Sequence, residues 1–133
     1  MITVDSSVLI PALRQSHPAH EAARAALRQP GFRLLAHVTA ETFAQLTRAR
    51  PRVHPRLVVE ALRALDGQPV TLSGEQYLAT LRRCVDAALV GGAVYDALIA
   101  AAARESGLRL LSLDLRATRT YATMRVDHQL LKV

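Results

Sequence analysis

Tryptophan is missing from this chain, and aromatic residues of all kinds make up only 4% of it. No broad aromatic platform is on offer, either to fill a core or to hold a long run of stacked bases. The lone cysteine, Cys84, excludes an internal disulfide and a cysteine-built zinc site, and its place in a helical pattern reads as a buried, reduced thiol. Lysine is almost absent too: of 17 basic residues only Lys132 is a lysine, and the rest are arginines. No stretch approaches the ~18 uncharged apolar residues of a spanning helix. The opening MITVDSS has neither a basic n-region nor a long apolar run, so the expectation is a soluble cytoplasmic protein with no membrane partner. Internal repeats and low-complexity segments are also lacking.

What is present is a chain of 133 residues, 50% of them hydrophobic, which suits one compact domain over residues 1–133 with a core of Ala, Leu and Val. A net charge of +6 favours a polyanionic partner, either nucleic acid or an acidic protein.

The organising stretch runs from Gly91 to Asp114. Every residue from Ala97 to Ala103 is apolar, so this helix has no polar face and must be covered on all sides. Glu105-Ser106-Gly107 ends it, and Leu108 to Leu113 reads as a strand apolar on both faces that delivers Asp114. Asp96 is expected in the first turn of the apolar helix, where the dipole favours an acid but the surroundings demand a partner for it.

The rest of the chain alternates strand and helix. Met1 to Val4 reads as a strand ending in Asp5-Ser6-Ser7, which caps a helix from Val8 to Leu13. A second helix runs from Pro18 to Gln29, and Phe32 to Ala36 reads as a second strand. Thr39 is expected to cap a third helix with Glu41 in its first turn and Ala40, Phe43, Ala44 and Leu46 toward the core. Arg48, Arg50, Arg52 and Arg56, interrupted by Pro51 and Pro55, form an exposed basic elbow leading to a helix with Val58, Ala61, Leu62 and Leu65 on one face. Pro69 to Leu72 is read as a short strand. Ser73 opens a long helix by a capping box, with Tyr77, Leu78, Leu81, Val85, Ala88 and Leu89 as its apolar stripe. After Asp114 come a short helix, Leu115 to Tyr121, and a last strand, Met124 to Val126. Alternation of this kind implies a mainly parallel sheet flanked by helices, with ligands gathering at the carboxyl ends of the strands.

Asp5, Glu41, Asp96 and Asp114 converge on that edge. Taken singly, each reads as a helix cap or a dipole-complementing acid. Together they repel one another unless a cation is present. Oxygen-only ligands select Mg²⁺ or Mn²⁺, whereas zinc would want cysteine or clustered histidine, and the five histidines show no ligand spacing beyond a weak His17-x-x-His20. An acidic metal site on a basic protein suits phosphodiester hydrolysis.

VDSSVLI around Asp5, Glu41 early in the third helix, YDALIAAAA around Asp96 and LLSLD around Asp114 resemble the PIN-domain ribonucleases, most closely the VapC-type toxins of bacterial toxin–antitoxin pairs. The resemblance spans essentially the whole chain. It implies a three-layer α/β/α sandwich, Mg²⁺- or Mn²⁺-dependent endonucleolytic cleavage of RNA and a cognate antitoxin. By the same similarity Asp5, Glu41, Asp96 and Asp114 are the acids of the site, with Asp5, Asp96 and Asp114 on the metal, and Ser112 is the family's hydroxyl two residues before the last acid. Some relatives carry a further acid just after the last one, where this chain has Leu115-Arg116-Ala117. Arg116 and Arg119 are candidates for RNA phosphate, and exposed Ala- and Leu-bearing helices permit a homodimer. The alternative is a non-catalytic basic domain that binds RNA or protein and keeps its acids only as helix caps. A receiver-like domain is a poor fit for want of a lysine near the site, and an acid-nucleophile phosphatase would want a second Asp where Ser7 stands.

Overall fold

The computed structural model describes all 133 residues. Three short parallel strands form its sheet in the order β1 (Ile2–Val4), β2 (Arg109–Ser112), β3 (His128–Leu130). Ile2 pairs with Arg109, Val4 with Leu111, and Ser112 with Leu130. β2 lies between its two neighbours, and Leu110, Leu111 and Ser112 are buried there, as a central strand covered on both faces requires.

Seven helices surround this sheet: α1 (Ser6–Leu13), α2 (His20–Leu27), α3 (Ala36–Arg48), α4 (Pro55–Leu65), α5 (Gly74–Asp86), α6 (Gly92–Glu105) and α7 (Leu115–Thr123). α1 packs on α2 and α3, and α3 on α4. α6 packs between α5 and α7, and both α1 and α6 touch β2. This is the three-layer α/β/α sandwich expected. α6 is its keystone: Ala97 to Ala103 are all buried, the small side chains letting neighbouring elements approach closely. One continuous apolar cluster joins residues from Ile2 to Val126.

Several boundaries differ from the sequence reading. Phe32 to Ala36 and Pro69 to Leu72 do not become strands but single parallel bridges, Ile2 to Phe32 and Leu35 to Val70. α3 begins at Ala36, which leaves too few residues for a ladder, and Pro69 has no amide hydrogen to donate. Thr39 is not the cap of α3. It lies inside the helix, where its hydroxyl donates to the Ala36 carbonyl at 2.6 Å. The start at Ala36 also rotates the buried face to Val38, Thr42 and Leu46, leaving Ala40 and Ala44 exposed.

The last strand is not Met124 to Val126. α7 continues to Thr123, Met124 caps it, and Arg125 turns the chain at φ 57°, so pairing starts only at His128. In α5 the capping box of Ser73 and Gln76 is present, but the residues that face the core are Thr80 and Cys84. Of the expected stripe Tyr77 and Leu89 pack against the core, whereas Leu78 is 70% exposed and Val85 75% exposed and, with Leu81, they face away from the domain. The basic elbow does connect α3 to α4, and Arg14 at the end of α1 anchors it by donating to the carbonyls of Pro51 and Ala49 at 2.9 and 3.2 Å.

Candidate active site

Two acids arrive as helix caps at strand ends. Asp5 follows β1 in extended backbone, and its side chain accepts from the Ser7 amide at 3.0 Å, so capping and placement at the sheet edge are one event. It also accepts from the Ser7 hydroxyl and, at 2.7 Å, from the Tyr121 phenol of α7. Asp114 follows β2 and caps α7, accepting from the amides of Arg116 and Ala117 at 2.9 and 3.4 Å. Ser112 ties the two strand ends together. Its buried hydroxyl accepts from the Asp114 amide at 3.0 Å and lies 3.3 Å from the Ser7 hydroxyl, which in turn accepts from the Leu113 amide at 2.8 Å.

The other two acids come from helix faces. Glu41 is the sixth residue of α3 and Asp96 the fifth of α6, so neither sits in a first turn as the sequence suggests, because α3 begins at Ala36 ahead of Thr39 and α6 already at Gly92. α3 and α6 touch each other, which sets these two faces side by side. Glu41 Oε2 lies 3.9 Å from His37 Nε2 one turn earlier, while Glu41 Oε1 is buried without a hydrogen-bond partner. The His37 ring stacks on Tyr95, centroids 5.5 Å apart and planes within 12°.

Electrostatics shows that the four acids share one region. Burial and then the charges of Glu41, Asp114 and Asp5 push Asp96 up from 3.8 to about 6, with Arg116 opposing them. Glu41 is raised by burial and by Asp5, against the Ser6 hydroxyl. Asp5 is raised by burial, against the hydroxyls of Ser112, Ser7 and Tyr121. Burial pushes the Tyr121 phenol far up, helped by Asp5, so it remains a donor. Clustered carboxylates out of water favour protonation in this way, and a cation bound among them reverses the preference. As the side chains stand, no three acids close into a ligand group.

All four sequence-derived acids and Ser112 therefore lie in one cluster. Of the arginines, Arg116 is close enough to influence Asp96, whereas no such influence of Arg119 is found; neither forms an ion pair. Arg48 ends α3, Arg50 and Arg52 lie in the elbow and Arg56 is in the first turn of α4; none of their charges is felt by Asp5, Glu41 or Asp96. Sequence reading missed Ser6, Ser7, His37 and Tyr121 as members. Ser7 and His37 had local signals, at two residues from Asp5 and four residues from Glu41. Tyr121 had none, since 116 positions separate it from its partner.

The sequence model of the PIN domain matches residues 2–122. The chain belongs to the PIN-domain family. It is 37% identical over 133 residues to ribonuclease VapC40 of Mycobacterium tuberculosis, covering 98% of each chain. Its fold is similar to the crystal structure of M. tuberculosis VapC20, described as a sarcin–ricin loop cleaving toxin, with a TM-score of 0.69, 21% identity and 90% and 94% of the two chains covered. It is likewise similar to VapBC-1 of nontypeable Haemophilus influenzae, with a TM-score of 0.61, 16% identity and 98% of each chain covered.

Proposed function

We propose that this PIN-domain protein is a Mg²⁺- or Mn²⁺-dependent endoribonuclease and the toxin of a toxin–antitoxin pair, working in the cytoplasm as one nuclease unit over residues 1–133. The observation that carries this reading is that carboxylates from three other elements, Glu41, Asp114 and Asp5, act on Asp96 and together with burial lift it to about 6. Caps and dipole-complementing acids have no need to meet. The donor set fits an oxygen-seeking divalent ion: every candidate is a carboxylate, and one buried oxygen, Glu41 Oε1, has no partner within the protein.

In this reading Asp5, Asp96 and Asp114 would hold the cation and Glu41 completes the site. The ion supplies Lewis acidity toward the phosphate and makes water a better nucleophile at neutral pH. Ser7 and Tyr121 orient Asp5, and the Ser112 hydroxyl keeps the Asp114 amide fixed, so two acids are aimed before any ligand arrives. Glu41, raised by burial and by Asp5, is placed to exchange a proton with attacking water. Arg116 brings a positive charge to the same edge, where an RNA phosphate would lie.

The similarity to VapC40 and VapC20 supports RNA as substrate, and that to VapBC-1 supports an antitoxin partner. Exposed apolar side chains on α5, Leu78 and Val85 among them, are compatible with a homodimer.

The test is incubation of antitoxin-free protein with structured RNAs in EDTA, Mg²⁺ or Mn²⁺, with Asp5→Ala as control. Cleavage should need the metal and vanish in the variant. Activity indifferent to EDTA, or retained by Asp5→Ala, refutes the mechanism. Absence of both cleavage and a metal-induced rise in melting temperature favours the non-catalytic binding domain.

A further inference from the structure

Only one aromatic side chain of this aromatic-poor protein is exposed, and it stands beside the acids. Tyr95 immediately precedes Asp96 and is 54% exposed, whereas Phe32, Phe43 and Tyr77 are partly covered and Tyr121 is fully buried. Its ring is not loose: His37, from α3, stacks on it with centroids 5.5 Å apart and planes 12° from parallel. His37 is itself placed one turn from Glu41, with Nε2 at 3.9 Å from Oε2. Two rings from two helices thus form a fixed flat step whose members adjoin two of the four acids. Packing within the protein does not account for Tyr95, since it is left half in water. Its hydroxyl can donate to a phosphate, but that contact needs no second ring stacked behind it. A stiff aromatic surface at the lip of a phosphodiester-cleaving site matches what an unstacked nucleobase needs, because every base has a π-face and a pre-ordered ring loses little freedom on stacking.

We propose that the Tyr95–His37 pair is a base-stacking step that seats one unpaired nucleotide of the RNA next to the scissile phosphate. The inference rests on the ribonuclease reading and adds to it a specificity-determining position. Regular duplex offers no free base face, so paired RNA is cut poorly at this site. Stacking is tolerant of base identity, so sequence choice must come from elsewhere.

The experiment places 2-aminopurine at successive positions in the loop of an RNA hairpin incubated with the protein and Mg²⁺. Fluorescence, binding anisotropy and cleavage are followed for wild type, Tyr95→Phe, Tyr95→Leu and Tyr95→Ala. One 2-aminopurine position should be quenched on binding by wild type and by Tyr95→Phe but remain bright with Tyr95→Leu and Tyr95→Ala. KM should rise roughly 5- to 150-fold in the last two, the range that loss of one base–aromatic stack spans, with kcat changed far less. Equal quenching and KM for Tyr95→Leu and wild type overturn the step while leaving the nuclease intact. Quenching without cleavage by wild type supports the step and refutes the nuclease, and neither signal refutes both. Unchanged RNA behaviour combined with weakened binding to a co-purified partner protein reassigns the ring pair to that partner and overturns the proposal.

Discussion

The acids at the strand ends and the acids on the helix faces are the same chemistry in two different positions. Asp5 and Asp114 are surrounded by donors: amides of their own helix turns, plus a serine and a tyrosine hydroxyl on Asp5. Glu41 and Asp96 have one serine hydroxyl and one histidine between them, and one oxygen of Glu41 is buried with no partner. The first pair does structural work whatever else it does; the second pair burdens the fold. A group that destabilises the molecule holding it is better evidence of function than one the molecule uses to close a helix.

The largest effect should come from Asp5→Ala, which breaks both roles at once. Cleavage should fall by about 10²-fold or more, the scale for removing one preorganised electrostatic group. The fold should lose about 1–3 kcal/mol, because α1 loses its cap and the Tyr121 phenol is left buried without an acceptor. Urea melts and cleavage rates measured on the same preparation check this. An Asp5→Ala protein as stable as wild type would erase the distinction between the pairs.

Asp96→Asn should separate activity from stability. Cleavage should again collapse, yet the metal-free protein should be as stable as wild type or more so, by about 1–2 kcal/mol at neutral pH once solvent screening of a half-exposed group is allowed for. The sign follows from linkage. Asp96 binds its proton more tightly folded, near 6, than unfolded, near 3.8, so its contribution to stability is full below about pH 4 and is lost as pH rises through about 6. Wild type in EDTA should therefore melt higher at pH 5 than at pH 7, Asp96→Asn should show a flatter profile, and Mg²⁺ should raise the wild-type melting point far more than the mutant's. A mutant that melts lower in EDTA and responds normally to Mg²⁺ would make Asp96 a dipole acid.

Glu41→Gln tests whether the second pair acts as a unit. Removing its charge relieves Asp96 of the neighbour that raises it most after burial, so the wild-type fall in metal-free stability between pH 5 and 7 should shrink even though Asp96 is still present. An unaltered pH profile would mean that the charge of Glu41 does not reach Asp96.

Legibility in the sequence follows the same division. The cap acids could be read because capping is local: a strand, an acid and a helix start lie within a few residues, as in Val4-Asp5-Ser6 and Leu113-Asp114-Leu115. Helix-face acids are harder, since their setting depends on which face a helix turns inward, and α3 shows how one misplaced cap, Thr39 instead of a start at Ala36, rotates that face. Helix α6 escaped this problem because Ala97 to Ala103 is apolar all round. α5 did not escape it. Its stripe of Leu78, Leu81 and Val85 has ordinary core spacing; Cys84 could be read as buried, but nothing local says that Thr80, and not the leucines, shares its face. Contacts of high sequence separation, Tyr121 on Asp5 above all, left no trace in the string.

The smallest expected effects concern the two arginines after Asp114, which sequence treats alike and the structure does not. Arg116 lowers the pKa of Asp96 against the surrounding acids, so its charge is felt inside the cluster; no such coupling connects Arg119 to it. Both side chains are exposed on α7; in the proposed reading each holds an RNA phosphate, so either substitution should weaken binding a few-fold and make the salt dependence shallower by about 0.7 in logarithmic slope, the value for one single-strand phosphate. Only Arg116→Ala should also move the acidic limb of the cleavage–pH profile to higher pH, because without that guanidinium the cluster holds its protons more firmly. Arg119→Ala should leave the limb where it is. Binding isotherms at several salt concentrations and rates from pH 5 to 8 distinguish the cases. An acidic limb moved equally by both substitutions would place Arg119 in the cluster as well, and one moved by neither would mean that the limb reports a group other than Asp96.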